Sequence, residues 1–253
     1  MMESITGFAP ERLRGIQALS TLREGIRVQK SIPGLKRHVI RLLILNLVIF
    51  LLITMLLNGL FYYYLLNPAI SWLFGSDGGF FASLGQWLLW ATQLTVAAVF
   101  AFISLRLSVE LSSIWHQQLV SRVIRFYRQV PEVSISFREW LKSLGSTIVE
   151  ALKLCLMPLL ILFAGLVPVI GLPLVYLFES HLLGRDAVMV YLDEIQTEER
   201  DELKKKLRWV PVQLGWLPML LAFIPIAGWL MMPLVLTLLI IGLASQLERS
   251  RTQ

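Results

Sequence analysis

The chain has 253 residues, 56% of them hydrophobic and 16% charged, with a net charge of +6 and a mean hydropathy of +0.69. That balance excludes an ordinary soluble globular protein, and the expected class is an all-α integral membrane protein with a single membrane domain over 1–253. The basic residues flank apolar segments, a pattern that orients a chain in a bilayer and touches anionic headgroups, so the lipid bilayer is an expected partner and nucleic acid is not.

Residues 1–30 place Phe8, Leu13, Ile16, Leu19, Leu22 and Ile26 three to five apart, with Arg12, Arg14, Arg23 and Arg27 between them. This spacing predicts an amphipathic helix for the membrane surface or a partner groove. No short apolar run with a small-residue cleavage site follows, so no removable signal peptide is expected and the first span acts as the insertion signal. Pro33-Gly34 marks a turn. The run 39–66 is almost unbroken in its apolar character and ends in Tyr62-Tyr63-Tyr64, which predicts a first transmembrane helix with an aromatic belt at its far end. Residues 67–84, with Pro68, Gly75, Gly78, Gly79 and Asp77, read as a loop on the translocated side. A second long helix is predicted over 86–130. It leaves its apolar part near Leu105 and continues as a cytoplasmic extension that Pro131 ends or kinks.

The carboxyl half repeats one pattern. Pro168-Val-Ile-Gly171 precedes Pro173-Leu-Val, and Pro225-Ile-Ala-Gly228 precedes Pro233-Leu-Val, each inside an uncharged apolar run. Proline interrupts a helix and glycine permits a reversal, so two helical hairpins are predicted, over 151–183 and 209–243, with tips at Pro168 to Gly171 and Pro225 to Gly228. The arms expected from this pattern, 154–166, 172–183, 209–223 and 229–243, span about 18 to 23 Å, against a hydrocarbon core of about 30 Å. Partly penetrating, re-entrant hairpins are therefore expected, and such backbone needs protein or a wet cavity around it. The charged linker 194–208 reads as a solvated helix. Lysine and arginine cluster in 1–41, 106–153, 185–208 and 249–251, so these segments share the cytoplasmic face, both termini included. Parity alone leaves a re-entrant hairpin and a tight pair of full spans equally allowed.

The single cysteine, Cys155, lies in an apolar arm and supports neither an intrachain disulfide nor a zinc site. His38, His116 and His181 are scattered, no nucleophile motif is present, and no phosphate-binding loop for ATP occurs. Neither an enzyme, nor a metal, nor a cofactor is expected. Arg106 and Glu110 are four apart on one helix, a spacing that suits either an interfacial ion pair or a pore. Arg185 and Asp186 follow the first hairpin as an ion pair fixing its exit or as an anion vestibule. Lys36 and Arg37 read as cations anchoring the first span beside lipid phosphates or as part of an anion site.

Pro33-Gly34-Leu35-Lys36-Arg37 ahead of a long first span, the two Pro-x-x-Gly hairpins, and His181-Leu-Leu-Gly-Arg185-Asp186 together resemble the family that groups CysZ sulfate permeases with etoposide-induced 2.4-type membrane proteins. The likeness covers residues 7–247 in order. It implies two transmembrane helices with two partly penetrating hairpins, a homo-oligomer, and, in the sulfate-permease branch, uptake of sulfate across the bacterial inner membrane. That branch binds the anion at a Gly-Leu-Arg-type turn, matched here by Gly34, Leu35, Lys36 and Arg37. Approachable amides at a helix start beside two cations agree with such a site. The functional expectation is a permease or channel for sulfate or a similar oxyanion; the alternative is a non-transporting scaffold that shapes the bilayer or assembles other membrane proteins.

Overall fold

The computed structural model describes residues 16–74, 85–87, 90, 92–93, 100–101, 103–104, 107–109, 111–129, 168–195, 197–222, 224 and 227–251. Among the described residues there is helix and turn but no strand. They group into two compact units, Met1–Leu45 with Glu110–Gln253, and Asn46–Val109.

The first unit begins with α1, Ala18–Ser31, whose polypeptide turns at Gly34 (φ +77°) into α2, starting at Leu35. The left-handed backbone at Gly34 is one that a side chain would strain, which explains the glycine at this reversal. α1 is a helix where one was expected, yet its buried face is the small one: Ala18, Thr21, Gly25 and Val28 are enclosed. Leu19 and Ile26, on the face expected to be the binding one, are 56% and 40% exposed.

That small face meets α8, Ala227–Arg251, in antiparallel contact. A Cβ on Gly25 would collide with the Leu238 carbonyl, and a Cβ on Gly242 with the Thr21 carbonyl. Glycines at both crossings let two backbones approach as bulkier residues could not. A second close crossing joins α5, Pro168–Leu192, to α7, Val210–Ala222, where Gly184 faces the Pro211 carbonyl and Gly215 the Ser180 carbonyl. Between them α6, Thr197–Lys206, carries the charged linker. It is solvated on one side only, since Leu203 and Leu207 are buried. α4, Ser113–Arg128, packs on α8 and ends at Gln129 (φ 55°), two residues before Pro131, whose ring disfavours helix in the residue ahead of it. The helix predicted over 86–130 is interrupted at Ser112, whose carbonyl accepts the first amides of α4 from Trp115 and His116 at 3.0 and 3.1 Å.

The hairpin tips fall differently from the expectation. Pro168 and Gly171 lie in the first turn of α5, a 25-residue helix, so the first tip does not sit at Pro168 to Gly171. Proline at the first helical position loses no hydrogen bond, and this is why it starts the helix instead of breaking one. The preceding arm, 154–166, lies outside the described residues. In the second run α7 and α8 do form a helix-turn-helix, with a bend at Ile224; Pro225 lies outside the described residues. Gly228 belongs to α8 instead of the turn, and its missing side chain admits the Leu221 carbonyl. The outgoing arms were expected to be 172–183 and 229–243; both belong to helices of 25 residues that contain Pro173 or Pro233.

Among the described residues two helices are long and apolar enough to cross a membrane, Leu35–Ala69 and Ala227–Arg251. Their surroundings differ. Only 22% of the best apolar window of the first is buried, against 72% for the second. α8 is thus largely enclosed by protein, and its outer turns run beside α1 with its exposed Arg23 and Arg27.

From Asn46 onward the chain belongs to the second unit, where α2, Leu35–Phe61, passes into a π-helical turn, Tyr62–Leu66, and then α3, Asn67–Phe74. Leu52, Met55, Leu56 and Leu65 are exposed, a surface suited to acyl chains. Residues 67–74 were expected as loop and are helical. The wider π turn shifts the carbonyls that Pro68 would otherwise meet, so proline is accommodated without ending the helix. Tyr63, Tyr64 and Trp72 are exposed, as an aromatic belt requires.

Candidate functional site

The turn between α1 and α2 sets the geometry of the sequence-selected Gly34-Leu35-Lys36-Arg37 segment. Ile32 N–H donates to the Val28 carbonyl at 3.0 Å and closes α1. The Gly34 carbonyl then accepts from the Arg37 amide at 3.1 Å, the His38 amide at 3.3 Å and His38 Nδ1 at 3.0 Å, so Gly34 caps α2. Because a carbonyl only accepts, the His38 proton is on Nδ1. Leu35 is fully buried and pins the turn, whereas Gly34, Lys36 and Arg37 are exposed. The Leu35 amide donates to the Ile32 carbonyl at 3.3 Å, so it is already engaged within the turn. No acidic residue occupies the first turn of α2, and the positive helix end and two cations act together.

One turn further on, α2 and α4 line a partly open cavity of about 410 Å3. His38, Arg41, Leu42 and Leu45 line it from α2; Trp115, Gln118, Leu119 and Arg122 line it from α4. Each set follows the i, i+3, i+4, i+7 spacing of one helical face.

A polar cluster that the sequence reading missed caps the far end of α8. Glu248 is fully buried, and Arg128 grips it at two points, Nε to Oε2 at 2.9 Å and Nη2 to Oε1 at 2.7 Å. The Tyr191 hydroxyl donates to Oε1 at 2.8 Å. Burial, followed by the Glu248 carboxylate, pushes the Tyr191 phenol well up, and the hydrogen bond to Glu248 pushes the Arg128 guanidinium up, so both remain donors. Beside it runs a ring of bonds: Arg249 Nε donates to Tyr127 Oη at 3.1 Å, Tyr127 to Ser245 Oγ at 2.8 Å, Ser245 to Glu24 Oε1 at 2.9 Å, and Arg249 Nη1 pairs with the same oxygen at 2.9 Å. Arg251 pairs with Glu199. These bonds tie α1, α4, α5 and α6 to one end of α8. The signal in sequence was the acidic residue within each basic stretch, Glu24 and Glu248.

Arg185 and Asp186 lie within α5, adjacent on a helix and thus pointing about 100° apart, a geometry unlike the ion pair expected at a hairpin exit. Arg185 is exposed. Arg106 and Glu110 lie outside the described residues.

The family model described as sulfate transporter CysZ/etoposide-induced protein 2.4 matches residues 21–233. That range contains the Gly34 turn, both proline-rich runs and the cavity. No curated protein gives a significant match.

Proposed function

Because the chain belongs to the sulfate transporter CysZ/etoposide-induced protein 2.4 family of membrane transporters, we propose that it moves sulfate or a similar small oxyanion across the bacterial inner membrane. The observation that carries this reading is the Gly34 turn, which leaves Lys36 and Arg37 exposed at the positive end of the most lipid-suited helix. An oxyanion there meets two cations and the positive end of the helix dipole, the combination that favours phosphate and sulfate. Given the engaged Leu35 amide, the exposed Gly34 backbone and the two side chains do the binding, while Leu35 anchors the turn.

The hairpin of α7 and α8 supports a partly penetrating arrangement. Its depth is set by its shorter arm, and the 13 residues of α7 reach about 20 Å, less than the hydrocarbon core. The outer turns of α8, beside the cations of α1 and inside the polar cluster, then sit at the cytoplasmic interface with both termini. Exposed apolar residues such as Leu177, Leu220 and Leu230 give the hairpins surfaces for further copies of the chain, and a homo-oligomer supplies them with partners. Arg106, Glu110 and Arg185 are candidates to line the path. Transport on this reading follows the anion gradient.

The test is labelled sulfate uptake into proteoliposomes, comparing the wild type, Lys36→Ala/Arg37→Ala, and empty vesicles. Uptake above the empty control that the double variant loses supports the reading and its site. No uptake by a well-folded, inserted protein overturns sulfate as the substrate, in favour of another anion or of the scaffold role.

A further inference from the structure

We propose that the cavity between α2 and α4 holds the phosphate headgroup of an anionic phospholipid, distinct from the sulfate turn and independent of whether the protein transports. Faces with i, i+3, i+4, i+7 spacing on two neighbouring helices ordinarily interdigitate and leave no void larger than a water. Here they leave a partly open pocket of about 410 Å3, so the faces do not close on each other.

The lining is divided by chemistry. His38, Arg41, Gln118 and Arg122 offer donors for oxyanion oxygens; Leu42, Leu45, Trp115 and Leu119 offer none beyond the indole N–H. Along α2 the polar residues come first and the leucines follow toward the apolar body of the helix. Along α4 the two kinds alternate, with Trp115 nearest the helix start, Gln118 and Leu119 next, and Arg122 farthest from it. The chain leaves this unit after Leu45 and re-enters it at Glu110, so both apolar ends adjoin the crossings and both arginines lie away from them.

A free inorganic oxyanion is polar on every side and would leave half of this lining unsatisfied. A phosphodiester joined to acyl chains matches both halves. Outside the cavity, Ile40 and Ile44 flank Arg41 on α2 and are 45% and 58% exposed, which extends an apolar track for those chains.

The experiment is native mass spectrometry of the detergent-purified full-length protein with dioctanoyl phosphatidylglycerol, dioctanoyl phosphatidylcholine or inorganic sulfate. Two variants accompany it: Arg41→Gln/Arg122→Gln, which removes the charges, and Leu119→Trp, which fills the cavity and keeps them. A cation near an anionic headgroup contributes about fivefold in affinity, so the charge variant, which removes two, should lose roughly twenty-fivefold in phosphatidylglycerol retention. Leu119→Trp should lose it as well, with its melting temperature in detergent confirming a folded protein. Equal retention of the two lipids by the wild type, or undiminished phosphatidylglycerol binding in a folded Leu119→Trp variant, overturns the proposal. Saturable sulfate binding that is lost in Leu119→Trp and displaces the lipid overturns it in favour of a free-oxyanion site. Lys36→Ala/Arg37→Ala should keep the lipid whatever its effect on uptake, which separates this site from the transport reading.

Discussion

Arg128 and Glu248 form a two-point ion pair between α4 and α8, with the carboxylate wholly enclosed and the guanidinium partly open to its surroundings. A buried carboxylate is costly to desolvate, and the guanidinium fork and the Tyr191 hydroxyl together offset that cost. The pair therefore specifies how α4 and α5 seat on α8.

Removing one partner of this pair should cost more than removing both. Arg128→Met leaves the buried charge without its guanidinium and is expected to destabilise by roughly 2 to 4 kcal/mol, toward the lower part of the usual range because Arg128 is not fully enclosed. Arg128→Met/Glu248→Met removes the uncompensated charge and should recover much of the loss. Melting in detergent micelles checks this, and a double variant at least as unstable as the sum of the two single losses would count against a buried-pair cost.

The glycine crossings predict a contrast between positions. At Gly215 an added methyl meets the Ser180 carbonyl, and at Gly25 the Leu238 carbonyl; neither backbone can rotate away. Gly215→Ala and Gly25→Ala are each expected to destabilise by roughly 1 to 3 kcal/mol. Gly59, inside α2, would place its Cβ in open space, so Gly59→Ala should be neutral or stabilise by up to about 1 kcal/mol. Equal effects at all three positions would sink the close-approach explanation.

Several elements were legible because their signals are local. The Pro33-Gly34 turn, the apolar run of α2, the charged α6 and the end of α4 before Pro131 each follow from a few neighbouring residues. The first span starts at Leu35 instead of residue 39 because the helix continues back through Lys36, Arg37 and His38, which hydropathy discounts. What escaped depends on tertiary context. The burial of α1 through Ala18, Thr21 and Gly25 reflects a partner more than 200 residues away, and a small-residue face looks neutral in a hydropathy pattern. The Glu248 cluster joins residues about 120 apart, so no spacing rule reveals it. The prolines misled because their cost depends on position: Pro168 is free at a helix start and Pro68 is relieved by a π turn.

Gly34 offers a test of the candidate anion turn apart from its charges. Its φ of +77° suits glycine, so Gly34→Ala should cost about 1 to 2 kcal/mol, while Gly34→Asn, which tolerates left-handed backbone, should cost less. Because the turn aims Lys36 and Arg37, sulfate uptake should fall in the same order, wild type above asparagine above alanine. Uptake by a folded Gly34→Ala protein equal to the wild type would show that the turn's geometry does not matter to transport.

Glu194, just past α5, gives a prediction in pH. Burial pushes its carboxyl above the ordinary 4.5, against the opposing pull of the Ser121 hydrogen bond and the Arg125 charge. The folded state therefore holds the proton more tightly than the unfolded chain. Below pH 4.5 both states are protonated and the contribution to stability is fully present; as pH rises the unfolded chain ionises first, and the contribution is lost by the time pH has passed the raised folded value. Glu194→Gln keeps an acceptor for Ser121 and cannot ionise. Its melting temperature should match the wild type near pH 4 and exceed it at pH 7, with the gap opening between those limits. Measuring the difference between the two proteins at each pH cancels the other titrating groups. A constant gap, or a variant less stable than the wild type at pH 7, would mean that Arg125 and Ser121 outweigh desolvation and that the carboxylate is held in its charged form.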